Sequence, residues 1–305
     1  MASHRSRIQW IALLGSIAAL LGCALPDLRP LADATARLHE SMMATDANVQ
    51  LSLSEAGARD LAVELRKELD VRVAAMAAVV NYTEALANIA AAGHSGSGSA
   101  EHLANSLDGF LGAISQPAMP ANYVAIAKSL YGIVANVRAA QSLAQATRVA
   151  DPAIQSIATT MTEDIQALEN ILLASGKAIQ SQLIQENNDI SSYRNALEKQ
   201  RRRLESELMT TPLDKNRIEQ LKETDRLIEM TRDRYEPFKE KLNAIQTRTD
   251  LHVHVVRNLR DGLVQWAQIH QSLADHLERG LPPNYRLLTA TVLEIRQLMK
   301  EENPR

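Results

Sequence analysis

Residues 183–242 read LIQENNDISSYRNALEKQRRRLESELMTTPLDKNRIEQLKETDRLIEMTRDRYEPFKEKL, and this stretch decides the fold. Leu183, Ile190, Leu197 and Leu204 recur every seven residues, as do Leu221, Ile228, Tyr235 and Leu242. A seven-residue apolar repeat marks a coiled-coil seam. Between the two runs, Thr211-Pro212-Leu213-Asp214 carries a helix-start signature, with Thr211 as the expected N-cap and Pro212 at the first helical position. If the chain reverses there, the apolar pairs 183/242, 190/235, 197/228 and 204/221 all fall level, because the numbers of each pair total 425. The expectation is an antiparallel hairpin over 179–245, with a reach of ~45 Å at about 1.5 Å per residue. Intervening seam positions are assigned to Gln200, Glu186, Asp225 and Arg232, so the arm buries little apolar surface and is expected to project from a bundle. Pro237 is expected to kink the return arm or remove one backbone hydrogen bond, costing up to ~3 kcal/mol.

Helical spacing continues in both directions from the hairpin. Leu61, Leu65, Leu69, Val73, Met76, Val80 and Ala87 form a stripe that predicts one helix over about 54–92, after a helix near 31–49. The Gly- and Ser-rich segment Gly93–Ser99 predicts a flexible connector, followed by a helix near 100–114 and a break at Gln116-Pro-Ala-Met-Pro120. A helix is expected from Asn122 to about Arg148, with a restart at Asp151-Pro152, Asp151 serving as N-cap. Downstream, Leu251, Val255, Leu259, Leu263, Trp266, Ile269, Leu273 and Leu277 predict a long helix, which Gly280-Leu-Pro-Pro283 ends before a final helix near 285–301. Aromatic residues make up only 3% of the chain and just 12 residues are glycine, which favours helices over a β-sandwich or barrel. The expected fold class is all-α: an elongated helical bundle with a long antiparallel coiled-coil hairpin. An Ala/Leu-rich bundle over 31–178 precedes the hairpin, and 246–305 supplies the return and C-terminal helices that complete the bundle.

The amino terminus carries a different signal. Arg5 and Arg7 precede an apolar run from Ile8 to Leu21, 14 residues long, which ends in Leu20-Leu21-Gly22-Cys23. A membrane-spanning helix needs about 20 apolar residues, whereas a signal-peptide core needs roughly 7–15. Cys23 is the chain's only cysteine. The stretch 1–23 resembles the lipobox signal of bacterial lipoproteins. That resemblance implies cleavage between Gly22 and Cys23, acylation of Cys23 including palmitate-type chains, and a short tether over 23–30. Two or three acyl chains hold a protein to a bilayer where one is marginal. Ala24 stands where inner-membrane retention typically places Asp, so the resemblance further implies sorting to the outer membrane, facing the periplasm. A lone cysteine allows no internal disulfide, so the fold must rest on packing alone. The last residues, Glu301-Glu-Asn-Pro-Arg305, lack the terminal lysine by which some murein-lipoprotein-like chains join the cell wall, and such a linkage is not expected.

The sequence gives little sign of catalysis. Thirty-three basic against 36 acidic residues leave no footprint for nucleic-acid binding. There is no Gly-rich phosphate loop, paired-Cys metal signature or His-Glu-x-x-His motif, so no cofactor or metal is expected. His252 and His254 are two residues apart on a helix and point to different faces, so both are expected on helix surfaces, and His270 and His276, six apart, fare no better as a metal pair. Glu205, Glu207, Asp233 and Glu236 fall among Arg and Lys at ion-pair spacing. Arg201-Arg202-Arg203 is the densest charge run, and with Leu213 it supplies the candidate partner contacts at the hairpin tip. The expected function is a non-enzymatic, lipid-anchored cell-envelope scaffold or adaptor that meets an envelope protein, with a second copy of the chain another candidate partner. The alternative is a membrane-active helical protein loosely resembling α-helical pore-forming toxins. Its weakness is that the most apolar mature stretch, Val71–Val80, spans ten residues and contains Arg72.

Overall fold

The computed structural model describes residues 25–93, 96–115 and 121–302. Gly22, Cys23 and the segment Gln116–Pro120 lie outside the described residues. Among the described residues there are nine α-helices and no strand: α1 (Arg29–Glu55), α2 (Arg59–Ala91), α3 (Ser97–Ile114), α4 (Ala121–Arg138), α5 (Leu143–Glu186), α6 (Asn188–Thr210), α7 (Lys215–Met230), α8 (Arg232–Arg279) and α9 (Arg286–Glu302). The fold is an all-α helical bundle, in two compact units. Unit 1 takes the described residues up to Ala47, then Val63–Ala167 and those from Val255 on, and unit 2 takes Asn48–Ala62 and Leu168–His254.

Unit 1 is packed by the apolar faces of its helices. Leu38 and Met42 of α1, Met76, Val79 and Leu86 of α2, and Leu103 and Phe110 of α3 are buried, as are Met161 of α5, Leu263 and Trp266 of α8 and Leu288 of α9. Each such side chain contributes roughly 1.5–3 kcal/mol through removal from water. Buried Thr35, Thr45 and Thr147 satisfy their hydroxyls on the carbonyl four residues back. The stripe expected on α2 is turned by about one position. Met76 and Ala87 are buried, Leu65, Val73 and Val80 only half so, and Ala75, Val79, Tyr82 and Leu86 complete the core face. The side chains of Leu61 and Leu69 lie outside the described residues.

Several expected boundaries moved. The helix predicted over 54–92 is interrupted at Gly57, whose φ of 77° is left-handed backbone that glycine adopts without a Cβ clash. Ala58 N–H donates to Leu53 O at 2.9 Å and Gly57 N–H to Ser54 O at 3.1 Å, a Schellman ending for α1. Helix α3 begins at Ser97, inside the expected connector, because Ser99 and Ala100 are buried. The restart expected at Asp151-Pro152 does not occur. Helix α5 runs through Pro152, and the break lies at 139–142. Ser142-Leu-Ala-Gln145 makes that start: Ser142 Oγ accepts from Gln145 N–H at 3.2 Å, and Gln145 Oε1 reaches back to Gln141 N–H at 3.0 Å, close to a capping box. Asp151 is instead held by a histidine, described below.

Unit 2 contains the hairpin. α6 and α7 are joined by 211–214, as the seven-residue repeats predict, but the capping roles differ. Thr211 ends α6, and Asp214 is the N-cap of α7, its carboxylate accepting from the Asn216 and Arg217 amides. The register is the expected one. Arg194 and Thr231, whose numbers total 425, are hydrogen-bonded at 2.9 Å, while Arg201–Asp225 and Gln180–Gln246 contacts fall within one residue of it. Ile190, Leu197 and Leu204 are buried in the seam. Gln200, Glu186, Asp225 and Arg232 are exposed, contrary to their expected seam positions. The second line of the seam is Thr224, Thr231 and Phe238, all buried, with half-buried Arg194 facing them. Helix α8 continues through Pro237, and at its other end, in unit 1, Gly280 with φ 64° closes it as expected.

Candidate functional site

The expected contact residues lie at the turn of the hairpin and along the distal part of α6. Leu213 is 90% exposed, and one turn back Met209 is 85% exposed. They are the two most exposed large apolar side chains among the described residues. The three arginines separate by role. Arg201 bridges Glu205 at 3.1 Å and Asp225 at 3.0 Å, tying the two arms together. Arg203 lies 3.7 Å from Glu207, which also meets Arg217 at 3.3 Å. Arg202 is exposed and has no ion pair among the described residues, so its guanidinium is free for an anionic group. Exposed pairs of this kind contribute about 0–1 kcal/mol each, so they set register rather than stability. Met209 was missed in the sequence because it stands off the seven-residue repeat, and that offset was the available signal.

The strongest polar chemistry lies elsewhere, in the core of unit 1. His270, 1% exposed, is held between Tyr82 Oη, 2.7 Å from Nε2, and Asp151 Oδ1, 2.7 Å from Nδ1. Gln155 Nε2 donates to Asp151 Oδ1 at 3.0 Å and to Ala267 O at 2.9 Å, so the carboxylate is fixed in turn. Burial raises the Asp151 carboxyl pKa, but the hydrogen bonds from His270 and Gln155 outweigh it and hold the group below its ordinary value. Burial, aided by the Asp151 charge, pushes the Tyr82 phenol well above its usual range. His252, expected on a helix surface, is buried, as is His270. The i, i+7 and i, i+11 spacing of His270 from the core residues Leu263 and Leu259 was the overlooked signal. A second buried polar group joins Arg72 to Asp164 at 2.7 Å, with Tyr123 Oη donating to the same carboxylate at 2.9 Å.

Tyr82 and His270 are each 1% exposed, closed off from solvent. Among the described residues no three His, Cys, Asp or Glu side chains cluster as a metal would need. A groove of about 850 Å³ is lined by Asn88, Ile89, Ser99, His102 and Asn105, and among the described residues that line it no titratable side chain is buried. Asp70–Ala91 within α2 is long and apolar enough to cross a membrane, a longer stretch than the ten residues picked out above, and 56% of its most apolar window is buried in the protein. No protein-family model, curated protein or solved structure matches this chain. What the fold defines is an all-α protein with one unit built around a helical hairpin.

Proposed function

We propose that this chain is a non-enzymatic, lipid-anchored scaffold of the bacterial cell envelope, tethered through Cys23 to the outer membrane and offering its helical hairpin to an envelope protein. The observation that carries the reading is the end of the hairpin: Leu213 and Met209 stand in solvent at the turn, and exposed Arg202, with no ion pair among the described residues, lies about two helical turns back from Met209. Methionine and arginine are among the residue types enriched in protein–protein interfaces, which supports a contact surface on this arm. The lipobox resemblance of residues 1–23 supports the location, and the inaccessibility of Tyr82 and His270 supports a role without catalysis. Shortening 183–242 to a tight turn tests it. A deletion that leaves the envelope phenotype and co-purifying proteins as they were would remove the basis for the reading.

A second reading, membrane activity, draws on the length and apolar character of Asp70–Ala91. Against it, Arg72 is ion-paired to Asp164 and Tyr82 is bonded to His270, so withdrawing α2 from the core would break two buried polar contacts. Leakage of dye from liposomes by the purified chain would favour this second reading.

A further inference from the structure

Both arms of the hairpin are interrupted, seven residues apart in level. On the outgoing side α5 ends at Glu186 and α6 begins at Asn188, with the Asn187 amide shared between Leu183 O and Ile184 O and its side chain turned back to Leu183 O at 2.9 Å. On the return side α7 ends at Met230 and α8 begins at Arg232, with Thr231 between them. Six residues further on stands Pro237, which has no amide hydrogen to continue the ladder. By the hairpin register, Asn187 is level with Phe238 and Arg194 with Thr231.

Arg194 occupies the seam at the upper interruption. Its Nη1 donates to Ile228 O and to Thr231 Oγ1, its Nε meets Glu198 at 3.0 Å, and its guanidinium carbon lies 5.1 Å from the Tyr235 ring centroid. In an unbroken helix the Ile228 carbonyl serves the amide of Arg232. Here it accepts the Thr231 hydroxyl at 2.7 Å and the guanidinium from the opposite arm. A side chain inserted into the helical ladder is one of the few physical causes of a sharp kink.

We propose that 187–194 and 231–238 form a joint in the hairpin, that Arg194 is the pin that holds the return arm open at Thr231, and that residues 195–230 turn about this joint as one piece. The inference concerns the arm itself and is independent of the lipid anchor. Its consequence for the proposed scaffold is that the tip adjusts its aim without unpacking the seam at Leu197 and Leu204.

The test uses genetically encoded spin-label residues in the full chain, which leave Cys23 untouched, with electron–electron distance measurement. One pair sits at Lys222 and Lys239, seventeen residues apart across Thr231, and a straight helix would separate these backbone positions by about 25 Å. A second pair, at Lys199 and Lys222, lies within the distal arm. The 222/239 distance is expected to be shorter and broader than the straight-helix value, and Arg194→Leu is expected to lengthen and narrow it while the 199/222 distance holds. Arg194→Lys, which keeps the charge but not the forked contact, should move it the same way and serves if the leucine variant loses helicity. A 222/239 distance already at the straight-helix value, or unmoved by either variant, overturns the proposal. So does a 199/222 distribution that broadens in step, since that means the arm frays instead of turning.

Discussion

His270 Nδ1 lies 2.7 Å from Asp151 Oδ1, and Tyr82 Oη lies 2.7 Å from the ring's other nitrogen, so one buried imidazole joins α2, α5 and α8. Buried polar atoms are costly when a partner is removed, because the remaining group keeps its desolvation penalty. Tyr82→Phe leaves His270 Nε2 without its hydroxyl in a closed site. It is expected to lower the unfolding free energy by about 1–3 kcal/mol, as read from urea denaturation with an unchanged m-value. A loss indistinguishable from zero would mean the chain of hydrogen bonds contributes nothing to unit 1.

The Asp151 carboxylate gives that network a pH dependence of defined sign. Its folded pKa lies below the ordinary aspartate value of 3.8, so the folded state binds this proton less readily than the unfolded one. The associated stability is complete above about pH 4 and is lost as pH falls through the lower folded value. Acid titration of the midpoint should therefore show a component between the two values that Asp151→Asn removes. An identical acid limb in the variant would contradict the assignment.

Gly176 meets Thr249 closely: a Cβ built there would stand 2.5 Å from Oγ1 and 3.1 Å from Cβ of the threonine. A branched side chain fixed at Cβ cannot swing away, so Gly176→Ala overpacks the α5–α8 contact at a cost of roughly 1–3 kcal/mol, less about 1 kcal/mol gained in helix propensity. The same substitution in a Thr249→Gly background, which removes the Cβ as well, has room and is expected to be neutral or stabilising. A change of sign between the two backgrounds is the readout, and equal destabilisation in both would show that the clash is not the cause.

The lipobox resemblance predicts a defined covalent product. Membrane-extracted protein should give an intact mass beginning at Cys23 with acyl chains attached, and Cys23→Ser should leave the signal uncleaved and abolish incorporation of labelled palmitate. An unmodified chain retaining residues 1–22 would remove the anchor while leaving the hairpin untouched.

The hairpin was legible because its repeat and its reversal are local and mutually consistent. Four apolar pairs fix one register, and the Arg194–Thr231 bond falls on it. Boundaries were less legible where one signature admits two uses. Asp151-Pro152 reads as a helix start, yet Pro152 is carried inside α5 and Asp151 is engaged by His270, more than a hundred residues away. The true start, Ser142 with Gln145, carried the usual capping spacing and was passed over. Burial of His252 depends on which helices pack together, and no local pattern reports that, whereas His270 carries the helical spacing from Leu259 and Leu263. At the tip, the sequence pointed to Leu213 and the arginine run, but only the ion pairs of Arg201 and Arg203 single out Arg202 as free.

The central claim is that the tip meets another protein. It is tested most directly by photo-crosslinking residues placed at Leu213 and at Arg202 in cells making the full-length chain, with adducts identified by mass spectrometry. One envelope protein crosslinked from both positions is the expected result. Adducts confined to this chain's own residues, or to lipid alone, would contradict it.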